Sequence, residues 1–340
     1  MTRRSSSVTI RDVAREAGVS VATVSRYINK NAPVSTEVAD RLDQVMSSMR
    51  YVPHAAARNL ASRKTRVIGL LLNNLHNDFF VPLLNGVEAV VRKKDYNLIV
   101  ATYHASSRDH RQPPIGPHNT DGLLVFSDGL TDDDLTALNQ SGFPMVLVHR
   151  TPPPNIPIPS VTVENIEITK NLVDHLIRVH GKRRILFLRG PIHQEDSIWR
   201  ETGYKSALQS NGIPVDDKLI LNGDFERDIA YQVMNEFLND GQRVAFDAVF
   251  TGDDDAAIGV LKSLHEHGIR IPEDIAVTGF DDLGFAPFLH PPLTTVRAPT
   301  ESVGKIATER LFSVLENNPS DEVIILPTEI IYRRSCGCQS

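Results

Sequence analysis

The chain has 340 residues, of which 41% are hydrophobic, 23% charged and 6% aromatic; these are globular values at a length for about two domains, and they exclude wholesale disorder, collagen and a disulfide scaffold. The net charge of −6 is divided unevenly: residues 1–66 carry twelve Lys and Arg against five Asp and Glu, a surplus of seven, while the remainder carries 24 basic and 37 acidic residues, a deficit of thirteen. A basic head on an acidic body is the footprint of a polyanion held at one end only.

The head reads as three short helices. Thr9 stands before Ile10 with Asp12 three residues on, the pattern of a capping box, and Ile10, Val13, Ala14 and Ala17 then recur on one helical face until Gly18. Ser20 is placed to cap a second helix with Val24 and Ile28 inward and Val21, Ala22, Ser25 and Arg26 outward. After Asn31-Ala32-Pro33, Ser35 opens a third, with Val38, Leu42, Val45 and Met49 inward. Two helices joined by a tight Gly-containing turn and closed by a third predict a helix-turn-helix, whose second helix enters the major groove. Residues 54–61, HAAARNLA, favour helix by composition but are too short to hold one alone in water, so this segment is expected to order only on binding.

The string TIRDVAREAGVSVATVSRYINKNAPVS, followed by LDQVMSSMRYVPHAAARNLASRKTRVIGLLL, closely resembles the head of the LacI/GalR family of bacterial transcriptional regulators, with VSVATVSR nearest its galactose-repressor branch. The resemblance implies that Val21, Ala22 and Arg26 read bases, that the hydroxyls of Thr9, Ser20 and Ser25 contact phosphates, and that Asn29 and Arg58 join the DNA-binding set. Such roles suit the chemistry: Arg26 can pair bidentately with guanine, and Val21 and Ala22 can meet a thymine methyl. Leu60 matches the hinge leucine that wedges into the minor groove at the operator centre.

From Arg66 onward, apolar runs alternate with helical patterns: VIGLLL at 67, a helix from Phe80 to Lys94, NLIVA at 97, GLLVF at 122, PMVLVH at 144 and SVTV at 160. The series resumes with RILFLRG at 184, KLILNG at 218, AVFTG at 248 and IAVTGF at 275. Two such series predict parallel sheets in two lobes. The family resemblance continues more weakly through RETGY, GDFE, TGDDDAAIG, RIPEDIAVTGFDD and PPLTTVRAP. It implies an α/β fold: a helix-turn-helix head plus a two-lobed, Rossmann-like effector domain of the periplasmic-binding-protein type I. The expected divisions are a head at 1–50, a hinge helix and linker at 51–65, and an effector-binding and dimerisation domain at 66–340. Within the last, the N-lobe comprises about 66–164 and 297–326, and the C-lobe about 165–296 and 327–340.

Ligands of open α/β sheets collect beyond the carboxyl ends of strands, so the cleft between the lobes is the candidate effector site. By the resemblance, Arg200 and Asp281 bind the effector, Asp253 stands where relatives place Asn or Asp, Phe225 forms an aromatic platform, and Phe79 and Phe80 form the N-lobe wall. An acid, an arginine and aromatic faces suit a sugar. The chain departs from the family between Ala101 and Asp121, where HASSRDHRQPPIGPHNT replaces a full helix with a proline-rich stretch. TPPPNIPIP at 151–159 reads as a stiff connector, and no heptad helix follows the last strand to make a tetramer.

Other classes fit less well. The Asp253-Asp254-Asp255 run and the Asp281-Asp282 pair could be imagined around Mg²⁺, but consecutive side chains diverge, and a helix start explains the run. The Walker loop, G-x-G-x-x-G and G-x-S-x-G motifs do not occur. Zinc held by His265, His267, Cys336 and Cys338 is disfavoured because His-x-His on a helix splays its side chains about 200° apart. The two cysteines stand four residues or fewer from the end, are not expected to staple the fold, and suit a reducing compartment. VIGLLL is far shorter than a membrane span, and MTRRSSSVTIRDV lacks the apolar core of a secretory signal. A solute-binding or sensory protein of the same fold is the alternative, and the basic head argues against it. The expectation is a cytoplasmic, homodimeric, non-enzymatic repressor. Its partners are a double-stranded, pseudo-palindromic DNA operator and a small-molecule effector, a carbohydrate, with no cofactor, metal or membrane.

Overall fold

In the computed structural model the head starts with α1 (Ile10–Glu16). The Thr9 backbone N–H and hydroxyl both donate to the Asp12 carboxylate, at 3.0 and 2.7 Å. Gly18 leaves the helix in the left-handed region, φ +65°. The Ser20 hydroxyl accepts the Thr23 N–H at 3.1 Å and so caps α2 (Val21–Asn29). The third helix, α3 (Thr36–Ser48), follows. Val13, Val24 and Leu42 are fully buried where the three helices meet, and each such burial contributes about 1.5–3 kcal/mol. The described residues of the protein are 8–29, 32–51, 64–75, 78–103, 113–241, 243–318 and 322–339, and the chain divides into the units Met1–Thr65 and Arg66–Ser340.

The second unit contains two parallel sheets. In the N-lobe, β1 (Val67–Leu72), β2 (Asn97–Thr102), β3 (Gly122–Phe126), β4 (Met145–Val148), β5 (Ser160–Val163) and β11 (Val323–Leu326) lie in the order β11-β5-β4-β3-β1-β2. The central strands read as unbroken apolar runs because helices cover both faces. The late helix α10 (Thr300–Leu315) packs across α4 (Phe80–Lys93). Paired glycines permit this approach: a Cβ on Gly86 would fall 2.0 Å from the Glu301 carbonyl oxygen, and one on Gly304 2.4 Å from that of Leu83. Among the described residues the N-lobe also has α5 (Asp132–Gln140). Between β2 and β3 the described residues 113–121 form turns without a helix.

In the C-lobe, β6 (Ile185–Arg189), β7 (Ile220–Asn222), β8 (Ala248–Thr251) and β9 (Ala276–Thr278) lie in the order β7-β6-β8-β9. They are flanked by α6 (Ile166–Arg178), α7 (Glu195–Ser210), α8 (Arg227–Asn239) and α9 (Asp254–Glu266). The chain passes between the lobes three times: from β5 to α6, from β10 (Thr295–Arg297) to α10, and from β11 to β12 (Glu329–Ile331). The Thr328 hydroxyl donates to the Glu164 carbonyl at 3.0 Å, tying the first passage to the third, and β10 pairs antiparallel with β12.

Candidate functional site

On the head, α2 presents Val21, 42% exposed, together with exposed Ala22 and Arg26. With half-buried Ser25 these residues span about 140° of the helix, opposite buried Val24. Of the expected phosphate contacts, the exposed Thr9 hydroxyl is held by Asp12 and the exposed Ser20 hydroxyl lies 2.9 Å from that of Thr23. Asn29 closes α2, and its side chain, like Arg58 and Leu60, lies outside the described residues.

Between the lobes of the second unit is a cavity of about 330 Å³. Its walls are residues just past the carboxyl ends of strands: Asn73 after β1, Asp128 after β3, Asp253 after β8 and Asp281 after β9. Phe79, Phe80 and Phe126 line the N-lobe side, and Arg200 and Phe225 the other. All six expected effector residues therefore border one space. Phe79 and Phe80 also belong to the core, where their rings meet edge to face at 5.4 Å. Phe225 owes its position to glycine: a Cβ on Gly190 would lie 2.1 Å from its ring, and one on Gly252 2.7 Å.

Arg200, 2% exposed, is the centre of a chain of polar contacts. Its Nε donates to Asn165 Oδ1 at 2.8 Å and Nη1 to the Gly252 carbonyl at 2.5 Å, while Nη2 lies 3.5 Å from Asp281 Oδ1. The guanidinium stacks on Phe280 with its carbon 3.6 Å from the ring centroid. Asn165 Nδ2 donates in turn to Asp196 Oδ1 at 2.9 Å, and Asp196 Oδ2 lies 2.8 Å from His149 Nδ1. The series His149, Asp196, Asn165, Arg200, Asp281 therefore begins at the end of β4 in the N-lobe and ends in the C-lobe. A second bridge runs through Asp128, which accepts from Asn73 at 3.2 Å and from Gln194 of the opposite lobe at 3.3 Å.

Burial sets the electrostatics. It pushes the Asp281 carboxyl up to about 6, against the pull of Arg200 and His149. Burial works the same way on Asp196, but His149, Arg200 and the Asn165 hydrogen bond outweigh it and hold that carboxyl below its ordinary range. Asp253 is raised well above the usual range by burial and by Asp281 nearby. Asp253 also caps α9, accepting the Ala256 N–H at 3.0 Å. Its neighbours in sequence turn elsewhere: Asp254 accepts from Thr295 and the Leu283 N–H, and Asp255 from Arg227. The three carboxylates do not converge on a cation.

Sequence reasoning missed His149, Asn165, Asp196, Asp128 and Gln194. A usable signal existed for three of them, because His149 follows β4, Asn165 follows β5 by two residues, and Asp196 precedes Arg200 by one helical turn.

The sequence profile described as bacterial regulatory proteins, lacI family, matches residues 9–54, and that of a periplasmic binding protein-like domain matches residues 173–336. Catabolite control protein A of Priestia megaterium is 31% identical over 332 residues, covering 96% of this chain and 99% of that protein. Among solved structures, the lac repressor dimer bound to operator and the anti-inducer ONPF matches with a TM-score of 0.79 at 24% identity, covering 97% of this chain and 99% of that one. The complex of the transcriptional regulator CelR with cellobiose matches with a TM-score of 0.68 at 27% identity, covering 96% and 99%. No helix among the described residues is long and apolar enough to cross a membrane.

Proposed function

From the premise that the chain belongs to the lacI family of bacterial regulatory proteins and is a DNA-binding transcriptional regulator, we propose that it is a cytoplasmic, homodimeric repressor controlled by a sugar or sugar derivative bound between its lobes. The observation that carries the effector class is the composition of the cavity wall. Buried carboxylates and a buried arginine supply acceptors and donors for vicinal hydroxyls, and four phenylalanines supply flat apolar faces for the C–H side of a ring. A volume of about 330 Å³ suits a sugar rather than a peptide. The likeness to a regulator in complex with cellobiose supports the same class.

In this reading residues 1–50 form the DNA-binding head, 51–65 the hinge, and 66–340 the effector and dimerisation domain, with lobes at about 66–164 plus 297–326 and about 165–296 plus 327–340. Arg26, Val21 and Ala22 read base edges, with Thr9, Ser20, Ser25, Asn29 and Arg58 on or near the backbone and Leu60 in the minor groove. Two heads related by a dyad require a pseudo-palindromic operator. The effector changes lobe closure by its unequal affinity for the two closure states, and closure sets the spacing of the hinges.

The test is a thermal-shift screen of the full chain against monosaccharides, disaccharides, sugar phosphates and nucleosides, followed by a mobility shift on genomic fragments with and without each hit. Stabilisation by a sugar that also changes the shift of a palindromic fragment is expected. Stabilisation by nucleosides alone overturns the sugar assignment, and a hit without effect on DNA binding overturns the coupling.

A further inference from the structure

His175, His180, Cys336 and Cys338 come together in the C-lobe, outside the cavity lining, and are the one group of metal-ligating type among the described residues whose ligand atoms all lie within 4.8 Å of one another. His175 lies in the last turn of α6 and His180 just past its end, while Cys336 and Cys338 lie on the tail that returns to the C-lobe after the third passage. Sequence reasoning weighs these cysteines only with His265 and His267 and sets zinc aside. His267 instead directs Nδ1 to the Ser263 carbonyl at 2.9 Å at the end of α9.

Four of the six ligand spacings are near the edges of a tetrahedron, and all six are within 4.8 Å. The two imidazole Nε2 atoms are 3.1 Å apart, Cys338 Sγ is 3.4 and 3.5 Å from them, and Cys336 Sγ is 3.9 Å from that of His175. An ion with metal–nitrogen bonds of about 2.0–2.1 Å and metal–sulfur bonds of about 2.3 Å, at tetrahedral angles, sets its ligands about 3.3 Å apart for N and N and about 3.6 Å for N and S. Each of these four distances is within about 0.4 Å of those values, so that binding requires only the Cys336 side to draw in. The backbone is arranged for convergence. Gly337, between the cysteines, has φ +106°, and a Cβ there would stand 3.1 Å from the His180 ring. The Thr294 hydroxyl accepts the Arg333 N–H at 2.8 Å, and its one proton lies between two acceptors, the Arg333 carbonyl at 2.8 Å and Cys336 Sγ at 3.1 Å. The Tyr332 ring packs on that of His175, centroids 4.4 Å apart.

We infer that His175, His180, Cys336 and Cys338 form a closed tetrahedral site for a zinc-class divalent ion, which fastens the carboxyl-terminal tail to α6. Two imidazoles and two thiolates select zinc over the oxygen-seeking magnesium and calcium, and four protein ligands leave no position for chemistry. Binding displaces the two thiol protons to solvent, and no oxidant or reductant takes part. The ion clips together segments about 160 residues apart in sequence, as the 161-residue separation of Cys336 and His175 shows.

The experiment measures Zn(II) bound by the purified full chain after exchange into metal-free reducing buffer, in competition with a chromophoric chelator. Cobalt(II) substitution then reports geometry through thiolate-to-metal charge transfer and the intense visible bands of a tetrahedral ion. The wild type should retain one equivalent. Cys338→Ser and His180→Ala alter partly exposed ligands and should lose more than about tenfold in affinity, the lower range for supporting groups alone, while far-ultraviolet circular dichroism stays unchanged. No zinc retained by the wild type, equal retention by both variants, octahedral cobalt spectra, or a Cys336–Cys338 disulfide formed in reducing buffer would each overturn the site.

Discussion

Replacing Asp281 by Asn separates what this residue costs the fold from what it gives the ligand. Asp281 is 6% exposed and has φ +106°, a backbone region that Asn tolerates better than most residues. Its carboxyl moves from the ordinary 3.8 to about 6 on folding, chiefly because burial penalises the charge. A folded acid with a raised value holds its proton more tightly than the unfolded chain does. Its contribution to stability is therefore complete below about 3.8 and is lost as pH rises through about 6. The displacement corresponds to about 3 kcal/mol at neutral pH. Asn imitates the protonated acid, so Asp281→Asn should match the wild type near pH 4 and exceed it by up to about 3 kcal/mol at pH 7.5. In a unit of this size that is about 5–10 °C in Tm. Asp253 and Asp254, both raised partly by Asp281, should regain part of their ordinary acidity in the variant. Urea unfolding of both proteins from pH 4 to 8 gives the difference curve directly. A curve that is flat with pH, or a variant less stable at pH 7.5, would refute the assignment of the burden to Asp281. The same variant should bind a hydroxyl-rich effector less well, since an amide offers one acceptor oxygen where a carboxylate offers two.

Arg200→Ala removes the donor from Asn165 and the cation from Asp281, and uncovers the Phe280 ring. The buried Asn165 oxygen and Gly252 carbonyl left without their donor cost about 1–3 kcal/mol each, and calorimetry should show effector binding abolished; retention of both stability and binding would place the site elsewhere. Gly190→Ala sets a methyl against the Phe225 ring, whose atoms are the three nearest to it, so effector affinity should drop about fivefold to tenfold, an aromatic contact's worth, with operator affinity unchanged by anisotropy. Leu60→Ala should weaken binding to operator strongly and to scrambled duplex little, and equal loss on both would show that Leu60 supplies general affinity instead of a wedge. For the wild type, log affinity for DNA should fall with log salt at about −0.9 per phosphate neutralised, whereas effector affinity measured by calorimetry stays nearly constant.

Legibility followed the range of the interactions. The head was readable because its signals are local: Thr9 with Asp12, Gly18, and Val24 against Leu42 all act over a few turns. Most strands from Val67 to Thr278 were readable because buried parallel strands are apolar without interruption, and the partly exposed β2 and β7 because they keep short apolar runs. The three-residue strands β10 and β12 carry no such run and went unseen. In the cavity, Arg200 and Asp281 were found through resemblance, but His149 meets Asp196 across 47 residues and Arg200 meets Asn165 across 35, and no periodicity encodes either contact. The cysteines illustrate the limit most directly. Their spacing is visible in the sequence, but His175 and His180 lie on and just past α6, which only the folded topology brings beside the tail.

The three passages between lobes have a consequence for the order in which the protein can be made. Its amino-terminal lobe is not finished by amino-terminal sequence: α10 covers the sheet with Leu311 and Phe312, and β11 pairs the open edge of β5. Until residue 326 has left the ribosome, that lobe presents an unpaired strand edge and an uncovered apolar face, the features that invite aggregation. The head, whose contacts close within its first fifty-one residues, is ready long before. A nascent chain therefore carries a folded DNA-reading module ahead of an unfinished sensor, and effector control of operator binding waits until the segment up to residue 326 has folded back.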